Sequence, residues 1–200
     1  MNYPTPVPPI QRDLNRRRNR LVIAACLIPT VFVCALIVLR TCELLWPFSV
    51  PTKGMNPAIA PGDHVMMEGL TFLARNPRRG DVVVFRTDGI ASLAPAQMYV
   101  KRVAGVPGDH LQILDGTVYI NGKPFTFSNT AGEIKYYLPA GSGNFSPKTD
   151  VTIPNGYYFV LGDNSTNSYD SRFWGSVPRK NIMGRISFGY WPPNRLGRVK

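Results

Sequence analysis

DVVVF at residues 81–85 is an apolar, β-branched run in the middle of the chain, and Met98-Tyr99-Val100 follows it. Valine-rich and aromatic runs of this length, with turn residues on both sides, are typical of strands. From residue 64 onward the apolar period is mostly two, and further segments fit the same pattern: 64–67, 117–120, 156–161 and 184–190. The sequence therefore predicts a mostly β fold for this part of the chain, either a sandwich or a partly open barrel.

Turn residues separate these predicted strands. The chain has 18 Gly and 19 Pro, too many for a helical bundle. Outside the N-terminal region we expect only a short helix near residues 69–73, and residues 123–150 are irregular and rich in small polar residues. The turn motifs are Pro61-Gly62-Asp63, Pro107-Gly108-Asp109, Asp115-Gly116, Asn121-Gly122 and Pro154-Asn155-Gly156.

Near the N-terminus, residues 21–39 run for 19 positions without a charge. At about 1.5 Å per residue, a helix of this length just spans a hydrocarbon core of roughly 30 Å. A cleaved secretory signal or a buried helix of a soluble protein are the alternatives, but the run is longer than a usual signal core of about 7–15 residues. Five arginines precede it and only Arg40 follows it closely, which predicts that the N-terminus lies inside the cell and the rest outside.

The overall composition excludes several classes of site. Lys and Arg number 23 against 12 Asp and Glu, a net charge of +11. Residues 41–200 carry 17 basic and 11 acidic groups, and this excess of +6 suits an anionic lipid surface or an ordinary solvated face. We expect no nucleic-acid partner for a domain outside the cytoplasm. With two His and three Cys, neither a Cys/His metal centre nor a Ser-His-Asp triad is indicated, and no phosphate-binding glycine loop occurs. We therefore expect no metal and no cofactor.

Lys101 is the candidate for chemistry that the residues themselves suggest. It follows Tyr99-Val100 within an apolar strand and precedes Arg102. If its side chain points inward, burial and the charge of Arg102 both lower its pKa, and it becomes a usable base for a hydroxyl nucleophile. A lysine in a strand, taken alone, is more often exposed.

Three segments of the chain, one of which contains this lysine, together resemble a known family. Their order along the chain, after an apolar N-terminal run, resembles that of the type I signal peptidase family, the membrane-anchored Ser/Lys endopeptidases. The resemblance covers about residues 15–190. The segments are PTKGMNPAIAPGD at 51–63, RGDVVVF at 79–85 with VKRVAGVPGD at 100–109, and GDNSTNSYDSRFWG at 162–175.

The resemblance implies a role for individual positions of this chain. It implies that Lys101 is the general base, that Ser168 orients this lysine, and that Thr52 helps to bind the oxyanion. Asp170 and Arg172 then form a structural ion pair. The shallow pockets that admit small side chains, as in Ala-x-Ala substrates, would be lined by Val50, Ile59, Tyr99 and Val100.

The departure from the family lies at the nucleophile. The family has Ser where this chain has Gly54, and Lys53 adds a positive charge beside it. Three hypotheses follow: a pseudo-peptidase that binds without cutting, a substitute hydroxyl such as Thr52 or Ser49, or a water activated by Lys101. Two residues along an extended strand are roughly 6–7 Å, which is too far for Thr52 to take over without rearrangement.

The resemblance also implies the domain organisation and the activity. We expect a membrane-anchored endopeptidase that cleaves signal peptides from exported preproteins in the cell membrane, slow or inactive because of Gly54; the alternative is a non-catalytic protein that binds preproteins or a membrane partner. Four apolar residues near the site either insert into the membrane interface or pack in the core: Phe72, Leu73, Phe173 and Trp174. The expected regions are a cytoplasmic basic tail at 1–20, a transmembrane anchor at 21–40, a β core at 41–111 and 155–200, and a smaller inserted β cap at 112–154.

Overall fold

The computed structural model describes residues 9–42, 44–137 and 149–199, with side chains from residue 15 onward. The first part of the predicted basic tail and residues 138–148 of the predicted cap lie outside the described residues. The chain divides into two compact units, Met1–Cys42 and Glu43–Lys200.

The N-terminal unit contains one long helix, α1, at Pro9–Thr41. Its stretch Asn15–Thr41 is long and apolar enough to cross a membrane, and Pro29 lies inside it. The helix begins before the predicted span, so the arginines at 16–18 and 20 extend it by more than one turn. Its apolar side chains, Val31 and Ile37 among them, are exposed. A helix that is apolar all round and not packed in a core is the pattern of a membrane span.

The second unit is mostly β, as predicted. Within its described residues the α-helices are α2 at Thr71–Ala74, close to the expected 69–73, and α3 at Ser171–Trp174, which the sequence analysis missed. The strands are β1 Leu45–Ser49, β2 His64–Glu68, β3 Val82–Arg86, β4 Met98–Gly105, β5 His110–Leu114, β6 Thr117–Ile120, β7 Lys123–Phe125, β8 Phe127–Asn129, β9 Gly132–Ile134, β10 Asp150–Thr152, β11 Tyr157–Leu161, β12 Val177–Pro178, β13 Ile182–Trp191 and β14 Gly197–Arg198.

In the part of the chain that the structure describes, the strands form one large sheet and two small ones. The large sheet has eight strands in the order β1-β2-β13-β3-β4-β11-β12, with β14 paired to β13, and β1 and β12 are its edges. The four-stranded sheet has the order β10-β5-β6-β7, and β8 pairs with β9. All strand pairs are antiparallel. The inserted region predicted at 112–154 thus carries a small sheet of its own, which begins with β5 at His110.

Two tight hairpins of the small sheet follow from their turn residues. Asp115-Gly116 joins β5 to β6 with φ of 48° and 77°, and Asn121-Gly122 joins β6 to β7 with φ of 52° and 77°. Positive φ at both central residues is the geometry that matches the right-handed twist of a hairpin, and Asp-Gly and Asn-Gly adopt it readily. These turn predictions are confirmed.

The small sheet and the large sheet share an apolar core. Ala104 of β4 and Phe159 and Leu161 of β11 are fully buried against residues of the small sheet such as Leu111 and Ile120. A second cluster, on the large sheet, contains Phe72, Phe85 and Trp174. A third lies beneath the turn at residue 54 and contains Val50, Met55, Ile59, Val65, Met67, Val82, Val84 and Ile186.

The aromatic residues considered for membrane contact belong mainly to this core. Phe72 and Trp174 are 8% and 5% exposed and pack in the second cluster, and Phe173 is partly buried against it. Leu73 is 73% exposed. Of the two alternatives, core packing is therefore confirmed for Phe72 and Trp174.

Candidate active site

Strand β4 presents two adjacent basic side chains to opposite faces of the large sheet. Successive side chains of a strand alternate between the faces. Lys101 is 6% exposed and lines a cleft, whereas Arg102 is 3% exposed and donates to Asp163 through Nε at 2.7 Å and Nη2 at 2.6 Å. The strand thus delivers one amine to the cleft and one guanidinium to a buried ion pair.

A short 3-10 helix, Lys53–Met55, places Gly54 opposite the lysine. Met55 is 1% exposed and anchors the turn in the core beneath it. Asn164 ties the turn to the next loop, because its side-chain amide donates to the Lys53 carbonyl and its backbone N–H donates to the Gly54 carbonyl, both at 3.1 Å. Sequence reasoning missed Asn164, whose neighbourhood to the turn appears only in three dimensions.

Lys101 and Ser168 both lie close to Gly54. A Cβ built on Gly54 would lie 3.0 Å from Lys101 Nζ, 3.6 Å from Ser168 Oγ and 3.8 Å from the Asn167 carbonyl oxygen. The sequence analysis named Gly54, Lys101 and Ser168 for this site, and the fold brings all three together. Any side chain at position 54 would therefore begin within reach of the amine.

Ser168 is 4% exposed, and its Oγ has no hydrogen-bond partner within the described part of the chain. It packs against Gly162, where a Cβ would lie closer to Ser168 Oγ than real Cβ atoms approach and would also press on the Gly54 carbonyl. Position 162 therefore requires glycine, for close approach rather than for backbone conformation. The sequence analysis did not single out this glycine.

The loop that carries Ser168 is fixed by Asp170 and Arg172, which are both fully buried. Arg172 donates to the two Asp170 oxygens through Nε and Nη2, each at 2.8 Å, and to the Ser165 carbonyl at 2.8 Å. Asp170 also accepts from the Gly162 N–H at 3.0 Å. Such a two-point pair fixes geometry as well as charge, so it holds the loop segment at 162–172 in place.

The environment of Lys101 favours the neutral amine. Burial lowers the pKa of Lys101, Asp170 and Asp163 oppose this through their charge, and Arg172 adds to the lowering. The cation that contributes is thus Arg172 rather than the expected Arg102, whose guanidinium is turned to Asp163. A neutral amine in this position can accept a proton from a group beside Gly54.

The site opens into a cleft of about 580 Å³. Val50, Tyr99 and Val100 are among the lining residues, as expected, whereas Ile59 is fully buried in the cluster below and does not line it. Sequence reasoning missed seven lining residues, for which strand patterning gives no signal: Phe48, Pro51, Val84, Gln97, Met98, Asn167 and Tyr169. The other lining residues are Phe48, Ser49, Pro51, Thr52, Lys53, Gly54, Val84, Gln97, Met98, Lys101, Asn167, Ser168 and Tyr169.

The hydroxyls considered as substitutes lie in the same cleft as Gly54. Thr52 and Ser49 line the cleft and are exposed, while Gly54 is buried. The point 3.0 Å from Lys101 Nζ belongs to Gly54 itself. Among the described residues there is no group of three or more His, Cys, Asp or Glu side chains that could hold a metal ion.

Comparison with known proteins agrees with this geometry. A family model described as signal peptidase, peptidase S26, matches residues 22–191. A signal peptidase I of Leptolyngbya laminosa is 37% identical over 153 residues, covering 75% of this chain and 70% of that protein. A probable signal peptidase I-2 of Synechocystis is 36% identical over 149 residues, covering 74% of this chain and 64% of that protein's length.

Further relatives are more distant. Signal peptidase IB of Staphylococcus aureus is 33% identical over 158 residues, covering 74% of this chain and 79% of that protein. Among solved structures, the crystal structure of a signal peptidase I from Enterococcus faecalis is 27% identical, covers 56% of this chain and 98% of its own, and superposes with a TM-score of 0.42.

Proposed function

Because this chain belongs to the signal peptidase family, we propose that it binds the cleavage region of exported preproteins in the cleft beside Gly54. One observation carries the proposal. The buried amine of Lys101 lies 3.0 Å from the position of a side chain at residue 54, at the floor of a cleft large enough for a peptide. A buried amine of lowered pKa at such a place is typical of a site for chemistry.

The walls of the cleft favour small apolar side chains. Val50, Tyr99 and Val100 contribute apolar surface to it. A shallow apolar pocket excludes larger side chains by steric contact and requires no charged partner. This supports recognition of small residues before the scissile bond, as in Ala-x-Ala.

Hydrolysis at this site must proceed without an acyl-enzyme, since Gly54 has no hydroxyl. The neutral Lys101 amine takes a proton from a water in the cleft as the water oxygen attacks the scissile carbonyl. Thr52 and the backbone at Gly54 stabilise the oxyanion, and the protonated amine then gives its proton to the leaving nitrogen. Such a route is slow: proteases that lose a triad member retain about 10³–10⁴-fold catalysis over water.

The second candidate is a non-catalytic protein that binds preproteins or a membrane partner. The absent side chain at Gly54 favours it, because the turn, the lysine and the buried Asp170–Arg172 pair that would serve a nucleophile are all in place around an empty position. In that case the cleft selects peptides and releases them uncut.

The place of action follows from α1. The helix Asn15–Thr41 suits a single membrane anchor. The arginines at its N-terminal side support an N-terminus inside the cell and a β domain outside, at the lipid surface.

The experiment is processing of a preprotein by the full chain in detergent. We expect Gly54→Ser to raise the cleavage rate by about 10³-fold or more, because it restores a nucleophile beside the base. Lys101 Nζ, at the end of a flexible side chain, has to move by only a few tenths of an ångström to admit the new Cβ.

Two variants control this test. Gly189→Ser places the same side chain on β13, where a Cβ meets nothing closer than 3.6 Å, and should leave the rate unchanged. Lys101→Ala combined with Gly54→Ser should abolish the gain. A folded Gly54→Ser chain that processes no faster than the native chain would contradict the assignment of the site.

A further inference from the structure

The segment that follows β9 is anchored in the inserted region. Tyr136 is 2% exposed and packs with Leu111 and Phe127 in the core that the sheets share. Its N–H donates to the Gly116 carbonyl at 2.8 Å, in the hairpin turn between β5 and β6. These contacts fix the position of the next residue, Tyr137, relative to the small sheet.

The main chain of Tyr137 is bound to the loop that carries Ser168. Its N–H donates to Ser165 Oγ at 2.6 Å, and Ser165 Oγ donates back to its carbonyl at 2.9 Å. Arg172 Nη1 donates to the same carbonyl and also to Ser165 Oγ, at 3.3 Å from the latter. The Ser165 hydroxyl thus uses its one donor and both of its acceptor positions, and Ser165 is 7% exposed.

The part of this loop that faces the site lies between two anchors. Ser165 begins a 3-10 turn that ends at Asn167, and Ser168 follows it directly. The Asn167 carbonyl oxygen and Ser168 Oγ lie 3.8 Å and 3.6 Å from a Cβ position on Gly54. On the far side, the buried carboxylate of Asp170 holds the loop. On the near side, the Ser165 hydroxyl links it to the inserted region.

We propose that Ser165 is a positioning residue for the site. Through its hydroxyl, the main chain of the inserted region holds the loop in place. Ser168 and the Asn167 carbonyl thereby keep their positions beside Lys101. The inserted region is then part of what builds the site. The inference rests on the proposed function for its meaning in peptide binding, whereas its effect on Lys101 is measured without a peptide.

A loosened loop changes the surroundings of the Lys101 amine. Without the Ser165 hydroxyl, the Tyr137 N–H loses its acceptor and requires water in its place. Burial is the largest influence on the Lys101 pKa and lowers it, so water that enters along the loop raises that pKa towards its ordinary value. The charged groups around the amine are Asp170 and Asp163, which raise its pKa, Arg172, which lowers it, and Lys53, which lines the same cleft.

The experiment is Ser165→Ala in the full chain in detergent. NMR of labelled lysine side chains, with Lys101→Met for assignment, gives the midpoint of the Lys101 titration in the variant and in the native chain. We expect the variant to titrate at a higher pH than the native chain. A peptide that spans a cleavage site should bind the variant about threefold to tenfold more weakly, on the scale of one lost hydrogen bond.

Two controls separate positioning from general loss of stability. Ser128→Ala removes the hydroxyl of an exposed serine in β8 and should change neither readout. Asn181 is 6% exposed and does not line the cleft, and its side-chain amide donates to the Arg86 and Asp88 carbonyls at 2.8 Å and 2.7 Å. Asn181→Ala should therefore destabilise the chain and leave the Lys101 midpoint where it is.

If Ser165→Ala does not fold, Ser165→Cys replaces it, because a thiol has a similar shape and makes weaker hydrogen bonds. A Lys101 midpoint equal to the native one in the folded variant overturns the inference, since the Asp170–Arg172 pair would then hold the loop by itself. An equal shift in Asn181→Ala overturns it as well. If the native chain binds no cleavage-site peptide, the proposed function fails, while the titration still decides the inference.

Discussion

Lys101 and Arg102 are neighbours on β4, and both are almost fully buried, yet their surroundings differ. For Arg102, burial lowers the pKa, but the hydrogen bonds and charge of Asp163 outweigh it and raise the pKa. For Lys101, burial dominates and the pKa is lowered. The two residues are 3% and 6% exposed, so the degree of burial alone does not distinguish them.

The difference lies in pairing. The Arg102 guanidinium meets both oxygens of Asp163 and donates to the Gly80 carbonyl at 2.9 Å, so its charge is satisfied and its role is structural. The Lys101 amine faces a cleft and the empty side of Gly54. A buried charge with a partner stabilises the arrangement around it, whereas a buried amine without one is available for protonation and deprotonation.

The largest expected effect that tests this contrast is on stability. Arg102→Met leaves Asp163 buried without its cation, and breaking such a pair costs about 3–5 kcal/mol of the free energy of unfolding. Lys101→Met, the same substitution one residue away, removes an unpaired amine and should be neutral or stabilising. Denaturant unfolding of the full chain in detergent, followed by tryptophan fluorescence, measures both.

These two variants serve as controls for each other, because they add the same apolar side chain to opposite faces of one strand. A similar loss of stability in both variants would mean that the surroundings stabilise charged Lys101 as strongly as Arg102. The two residues would then not differ in the way described here.

A smaller effect is expected in the pH dependence of stability. The folded chain holds the pKa of Lys101 below its ordinary 10.5, so between the two values the unfolded chain binds more protons. The stability of the native chain therefore rises with pH in this window. The free energy of unfolding of Lys101→Met should therefore exceed that of the native chain most at the low-pH end of the window. The difference there is about 1.4 kcal/mol for each pH unit that the window spans.

That advantage should disappear as the pH approaches 10.5. The measurement is the free energy of unfolding of both chains over a series of pH values, taken as a difference so that the other titrating groups cancel. A difference that is flat with pH would show that Lys101 titrates alike in the folded and unfolded chains.

Much of the fold follows from local patterns. Alternating apolar residues predict β2 and β6, the continuous apolar run at 82–85 predicts β3, and Asp115-Gly116 and Asn121-Gly122 predict two hairpins. Strands β7 to β10 cannot be predicted in this way, because each has three residues and is too short to show a period. The order of strands in the large sheet depends on contacts between distant segments.

The site is predictable where a residue type carries the chemistry. Lys101 within an apolar strand is visible in the sequence itself, whereas Gly54 is singled out only through the resemblance to the signal peptidase family. Gly162 and Asn164 matter because three segments pack within a few ångströms of one another, and the burial of Ile59 depends on which way its turn faces the core. These properties are set by tertiary packing.

The most direct test of the central claim is titration of the Lys101 amine itself. The measurement is NMR of the full chain in detergent, with the lysine side chains isotopically labelled. The resonance that disappears in Lys101→Met is assigned to Lys101, and its chemical shift as a function of pH gives the pKa. We predict a midpoint well below 10.5, because burial without a partner disfavours the charged amine. A midpoint at or above 10.5 would contradict the account, since the amine would then be protonated and unable to act as a base beside Gly54.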